Sequence, residues 1–291
     1  MNRWIVGARP RTLPAAIVPV AVGTACAVGE GVGLSWWRAV AAGVVALSLQ
    51  IATNYANDYS DGVKGTDSAR VGPVRLVASG LAPAAAVKRA AFIAFGVAAV
   101  AGGALALVVG PELLLVGAAA IAAGWFYTGG PKPYGYYGYG ELFVFVFFGL
   151  VATAGTTYVL LEKLTGTSVA LGVPVGFLAC ALLVVNNLRD IPTDTVAGKK
   201  TLAVRIGDQW TRFLYLLLIA GAGAVIVGVA VATRRWAVMI GALGPLVLGM
   251  LPARAVIGGA AGPALIPVLG RTGRTQLATG LLLVIGLLLS A

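Results

Sequence analysis

Nine runs of continuous apolar residues follow one another along the chain, separated by short connections. They fall at about Leu13–Val28, Trp37–Asn57, Lys88–Val109, the stretch after Glu112 to Tyr127, Glu141–Leu161, Val169–Leu188, Thr211–Thr233, Trp236–Leu251 and Gln276–Ser290. A bilayer core requires about 20 apolar residues of a crossing helix, and these runs are near that length. They are continuous instead of alternating, so they predict helices and not the strands of a barrel, which would leave polar groups every second residue. Two apolar or mixed segments break the rhythm. Thr128–Gly140 is rich in Gly, Pro and Tyr, and no regular element is expected there. Pro252–Gly270 is interrupted by Pro252, Gly258, Gly259, Gly262, Pro263 and Pro267, and reads as a reentrant or interfacial piece.

The polar positions are as informative as the apolar ones. Spans 2 and 6 run directly into polar stretches, Asn54–Asp67 and Asn186–Asp208, which together contain every aspartate of the chain. Residues four apart share a helix face. Asn54, Asp58 and Asp61 therefore form one stripe, Asn57 and Asp61 a second pair, and Asn186, Asp190 and Asp194 repeat the spacing, with Pro192 expected to loosen the helix. Four spans separate the two stretches, so both emerge on one side and can face each other. This predicts one domain over residues 1–291, with an imperfect repeat of roughly 1–140 and 141–291 and a site between the halves.

Composition narrows the class. The chain has 291 residues, 59% hydrophobic and 11% charged, with a net charge of +11. The fold expected is all-α: a polytopic membrane protein, a nine-helix transmembrane bundle. The positive charge suggests nucleic acid only until its distribution is seen. All but Arg38, Lys163, Arg234 and Arg235 of the 21 Lys and Arg fall on the side of the N-terminus and the two acidic stretches. The positive-inside rule then places that side in the cytoplasm of a cell (inner) membrane, with lipid as the neighbour and no nucleic acid required. Asn2–Arg11 reads as a basic lead-in to a full span, so no cleavable signal peptide is expected.

With no histidine in the chain, His metal sites and histidine-assisted nucleophiles are excluded. Cys26 and Cys180 lie in separate apolar runs and read as small core residues. Two carboxylate clusters facing each other would repel, and a divalent cation relieves that repulsion. Oxygen-only ligands favour Mg²⁺, which is typically shared between a few carboxylates and substrate phosphates. Lys64, Arg75, Arg189, Lys199, Lys200 and Arg205 exceed what the acids need and suit a phosphate-bearing substrate. Solvated loop charge is the plainer alternative for each of them.

In these two stretches the chain resembles the UbiA superfamily of intramembrane prenyltransferases, whose motifs are usually Asn-x3-Asp-x3-Asp and, later, Asp-x3-Asp. Asn186, Asp190 and Asp194 fit outright. Asn57 and Asp61 fit, but Gly65 stands where a third acid would fall and Asp67 follows two residues on. That variation, with Val71-Gly-Pro-Val-Arg-Leu after it, Ala8-Arg-Pro-Arg-Thr-Leu-Pro, Asn187-Leu-Arg-Asp-Ile-Pro-Thr-Asp and Gly198-Lys-Lys-Thr-Leu-Ala, is similar to the branch that prenylates 1,4-dihydroxy-2-naphthoate in menaquinone synthesis. The resemblance implies that the nine-helix bundle surrounds a cytoplasm-facing cavity, with Mg²⁺ held among Asp58, Asp61, Asp67, Asp190 and Asp194 and bridging to a polyprenyl diphosphate. Asn54, Asn57, Asn186, Asn187 and the cations would surround that group. It also implies a Tyr127 and Lys132 pair near the reacting carbon. Arg9 and Arg11 are candidates for the acceptor's carboxylate, and Tyr134, Tyr136, Tyr137 and Tyr139 for cation shielding or an interfacial belt. Other aromatic acceptors remain open. So do a CDP-alcohol phosphotransferase, from Asp58-x2-Asp61-Gly62, and a secondary transporter.

Overall fold

The computed structural model describes residues 2–31, 33–66 and 74–291, so Asp67 and the Val71–Pro73 part of the first motif region lie outside the described residues. All regular elements among the described residues are helices, with no strand. In chain order the helices are α1 (Arg3–Ala8), α2 (Pro14–Val28), α3 (Trp36–Lys64), α4 (Ala84–Val108), α5 (Glu112–Phe126), α6 (Gly140–Leu161), α7 (Gly166–Val196), α8 (Leu202–Thr233), α9 (Trp236–Ile257) and α10 (Leu265–Leu288). Six of them, α3, α4 and α6 to α9, are long and apolar enough to cross a membrane. The bent pair Arg3–Thr12 and Pro14–Val28, angled by 54°, makes a seventh. The other two runs in the count of nine are α5, with 15 residues, and α10, which carries Arg271 and Arg274.

Helix α3 begins in lipid-compatible sequence and continues unbroken through Asn54, Asp58 and Asp61 to Lys64. It stops at Gly65, whose φ of 73° is left-handed, and whose N–H returns to the Asp61 and Gly62 carbonyls. Such a cap suits glycine because a Cβ would be strained there. Helix α7 starts at Thr165, whose hydroxyl accepts from the Ser168 N–H, and it runs through Pro174 and Pro192 to Val196. Pro192 thus leaves the helix continuous, against the expected loosening. Helix α8 opens at Leu202, nine residues before the expected span, and bends at Gly207. Asn186–Asp208 is therefore two helix ends joined by a short turn.

Two loop expectations are corrected. Pro252–Gly270 is not one reentrant piece, because Pro252 falls in the first turn of the helical stretch Met250–Ile257 that completes α9. Pro267 falls in the first turn of α10, where its missing N–H breaks no helical bond. Only residues 258–264 interrupt the helix, and α10 begins at Leu265 instead of Gln276. Within 128–140, Tyr134–Tyr137 forms one tight 3-10 turn.

Helices α6 and α7 approach at glycine. A Cβ on Gly149 would lie 2.6 Å from the Gly176 Cα and 2.8 Å from the Gly172 carbonyl oxygen. Small residues permit such backbone contact in membranes, where apolar burial gives helices little preference for one another over lipid. A wider-wound segment, Phe145–Val151, sits at this contact. The best-buried side chains, among them Leu178, Val185, Ile219 and Ile226, lie between α7, α8 and α10, and buried Tyr215 bonds Thr272 at 2.8 Å. Leu107, Leu115 and Val100 point outward, exposed. This is an integral, multi-pass membrane protein, apolar on its outer face.

Candidate active site

The last turns of α3 form one half of a polar chamber. Asp58 is fully buried, and its two oxygens accept the backbone N–H groups of Leu76 (2.8 Å) and Val77 (3.1 Å). It therefore anchors the 74–80 segment, which carries Arg75. Asp61, one turn on, collects partners from three other places. Tyr136 donates its hydroxyl to Oδ1 at 2.6 Å, Lys199 stands 3.2 Å from Oδ2, and Arg75 stands 4.0 Å from it. The Tyr136 ring lies beneath two ammonium groups, 5.0 Å from Lys64 Nζ and 4.8 Å from Lys199 Nζ, each a cation–π contact. Lys64 itself is turned to the Thr128 and Gly130 carbonyls. Asn57 accepts from the Thr128 hydroxyl at 2.8 Å.

The end of α7 forms the other half. Asp190 is gripped by its neighbour Arg189 through two N–H···O bonds, of 2.7 and 2.8 Å, and the same guanidinium donates to Asn186 Oδ1 at 2.8 Å. Asn187 donates its amide to Glu141 Oε1 at 2.9 Å. Asp194 lies one turn further on, and its carbonyl accepts the Lys199 N–H.

Between the halves is a cavity of about 360 Å³. At its polar end it is lined by Asn54, Asn57, Asp61, Arg75, Asn186, Asn187, Asp190, Asp194 and Lys199. It then passes Tyr127, Tyr134, Phe143 and Phe147, and ends among Ala42, Leu105, Leu113 and Val159. Tyr134 stacks on Phe143 at 4.0 Å and meets Tyr127 edge-on at 5.5 Å. Burial pushes the Tyr134 phenol above its ordinary pKa, and its hydroxyl donates to the Ala123 carbonyl. Asp61 and Ala42 are both on α3, 19 residues apart, so the cavity follows about 28 Å of helix.

Not every candidate reaches this chamber. Asp58, Lys64, Lys132, Arg189, Lys200 and Arg205 are not among its lining residues, and Lys132, Lys200 and Arg205 are exposed. Arg9, held at a left-handed φ of 52°, does line it, and Asn54 ties Ala8 and Thr12 to α3. Sequence reasoning passed over Thr12, Gln50, Thr128 and Glu141. Of these only Glu141 carried a signal, as an acid opening an apolar run.

Among the described residues no three acidic side chains lie together as a preformed metal cluster. The lining donors fit Mg²⁺ in another way: Asp61, Asp190 and Asp194 border one space, and Mg²⁺ needs only one or two carboxylates when phosphate oxygens and water complete its shell.

The UbiA prenyltransferase family model matches residues 16–259. The chain belongs to the UbiA prenyltransferase family. This UbiA member is 51% identical over 275 residues to a 1,4-dihydroxy-2-naphthoate octaprenyltransferase of Mycobacterium tuberculosis, covering 94% of this chain and 93% of that one. It is 35% identical to the Escherichia coli protein of the same name, covering 99% and 95%. Among solved structures, a UbiA homologue from Archaeoglobus fulgidus bound to GPP and Mg²⁺ superposes with a TM-score of 0.67 at 15% identity, over 98% of this chain and all of that one. The shared UbiA fold accounts for the all-helical bundle.

Proposed function

We propose that this protein transfers a polyprenyl group from polyprenyl diphosphate to 1,4-dihydroxy-2-naphthoate, releasing CO₂ and diphosphate and giving demethylmenaquinol. The single domain would work at the cytoplasmic face of the cell membrane, with its N-terminus on that side. The observation that carries the reading is the shape and chemistry of one cavity, a head of carboxylates and cations continuing into an apolar body, about 28 Å in all along α3. A polyprenyl diphosphate has that same division. Relatives named for this reaction at 51% and 35% identity support the choice of acceptor.

Asp61, Asp190 and Asp194 are the residues that would hold Mg²⁺. Bound there, the ion would neutralise diphosphate oxygens and so favour departure of the leaving group. Arg75 and Lys199 stand beside Asp61 and supply positive charge where the allylic C–O bond breaks, in a site already shaped for it. Tyr127, Tyr134, Phe143 and Phe147 line the next part of the cavity, where their ring faces attract an allylic cation. The apolar wall keeps out water, the competing nucleophile. Arg9 faces the acceptor's carboxylate. The ring carbon bearing that carboxylate attacks the cation, and loss of CO₂ returns its bonding pair to the ring. No proton need be removed, so a chain without histidine suffices.

The test is turnover by purified protein given Mg²⁺, polyprenyl diphosphate and dihydroxynaphthoate. Prenylated naphthol is the expected product. Turnover of p-hydroxybenzoate with none of dihydroxynaphthoate would overturn the acceptor assignment.

A further inference from the structure

Two asparagines face the cavity from opposite sides with opposite ends engaged. On α3, Thr128 donates to the Asn57 oxygen, which leaves the Asn57 amino group as a donor toward the cavity. On α7, Asn187 gives its amino group to Glu141, and the Asn187 oxygen has no hydrogen-bond partner among the described residues. That oxygen is the polar atom left for the space Asn187 lines. In an asparagine the two ends are told apart only by such partners. A carboxylate accepts and does not donate, so Glu141 fixes the choice.

Glu141 is a costly residue for packing alone. It is 9% exposed, at the start of an apolar helix, and its second oxygen, Oε2, is buried without a hydrogen-bond partner among the described residues. Burying a carboxyl group half-satisfied is unfavourable. Its position is fixed twice by α7, since the Glu141 carbonyl accepts from Cys180 Sγ at 3.1 Å, two turns before Asn187. Asn187, Asp190 and Asp194 stand at i, i+3 and i+7, on one face of α7, and all three line the cavity. Asn186, the asparagine in the aspartate-rich spacing, is instead engaged through its oxygen by Arg189.

We propose that Glu141 is a positioning residue that holds the Asn187 carbonyl oxygen toward the cavity, beside Asp190 and Asp194, as an oxygen ligand for the divalent cation. The proposal rests on the cation reading of the site given above. It assigns the ligand to the second asparagine of the Asn186-Asn187 pair, and it gives the buried acid of α6 a role through that residue.

The experiment measures binding of Mn²⁺, in the presence of inorganic diphosphate, to purified full-length protein by the loss of the free-ion electron paramagnetic resonance signal. Glu141→Gln preserves size but also offers a donor, so the Asn187 amide is free to turn over. Its affinity for Mn²⁺ is expected to fall about tenfold or more, the usual consequence of removing a partner behind a metal ligand. Adding Asn187→Asp to Glu141→Gln restores the arrangement, because the introduced amide donates to one oxygen of the introduced carboxylate and leaves the other for the cavity. Affinity is expected to return to within about threefold of the parent. Asn187→Leu should weaken binding as Glu141→Gln does, and it serves as the readout if Glu141→Gln does not fold. Asp190→Ala separates this idea from its foundation: unchanged Mn²⁺ affinity there removes the cation site itself. With Asp190→Ala weakened, three results overturn the positioning role alone. They are normal affinity in Glu141→Gln, normal affinity in Asn187→Leu, or a double variant as weak as Glu141→Gln.

Discussion

The two acid-bearing helix ends are built in opposite ways. At the end of α7, Asp190 is held by the preceding residue, Arg189, which also takes Asn186, so this grip is made within about one turn of one helix, and Asn187 reaches out of it to Glu141 on α6. At the end of α3, Asp61 takes Tyr136 from the loop before α6, Lys199 from the turn after α7 and Arg75 from the segment after α3. The grip of Arg189 on Asp190 is local in sequence, whereas the surroundings of Asp61 exist only when four parts of the chain have come together. The difference also separates charge from structure. Arg189 is behind the cavity, whereas Arg75 and Lys199 line it, so the distant cations are the ones available to a substrate.

Removing either acid tests the comparison most strongly. Asp61→Ala and Asp190→Ala are each expected to reduce kcat/KM by at least about 10³-fold while the protein remains inserted; activity within tenfold of the parent in both would sink the cation-site reading. Their stabilities should diverge. Asp61→Ala strips a carboxylate from two buried cations, Arg75 and Lys199, which are 8% and 7% exposed. Breaking a buried pair costs about 3–5 kcal/mol. Asp190→Ala leaves Arg189 bonded to Asn186, and should lower Tm less. Equal losses of Tm would mean that the two halves are not built differently.

How much was legible in the sequence follows the same division. Apolar runs and the i, i+4 spacing of Asn186, Asp190 and Asp194 are local, and they placed nearly every helix and the α7 half. The partners of Asp61 come from far along the chain, and no spacing rule links position 61 to 136 or 199. Asp58 shows the limit best. Its spacing from Asn54 made it a candidate metal ligand, yet its oxygens meet the Leu76 and Val77 N–H groups, since a buried acid beside a turn satisfies that turn's free backbone donors first. Asp58→Asn keeps one acceptor oxygen and turns the other into a donor facing an N–H. It is expected to lower stability by about 1–3 kcal/mol and kcat/KM by about 10- to 100-fold through displaced Arg75, read as a higher KM for the diphosphate. A loss as deep as that of Asp61→Ala, falling on kcat, would return Asp58 to the reacting centre.

Tyr136→Phe gives the finest division of the α3 half, because it removes one hydroxyl and keeps the ring. The hydroxyl contributes a 2.6 Å bond to Asp61, whereas the ring face holds Lys64 and Lys199. Hydrogen bonds to charged groups contribute about 1.5–3 kcal/mol, but Asp61 retains Lys199 and Arg75, so the loss should sit at the low end. A fall in kcat/KM of about tenfold is expected, near 1.4 kcal/mol. Tyr136→Leu, which loses the ring as well, should fall further by releasing the two ammonium groups. If the two variants were equally active, the ring would have no part in placing the cations, and Lys199 would be fixed by Asp61 alone.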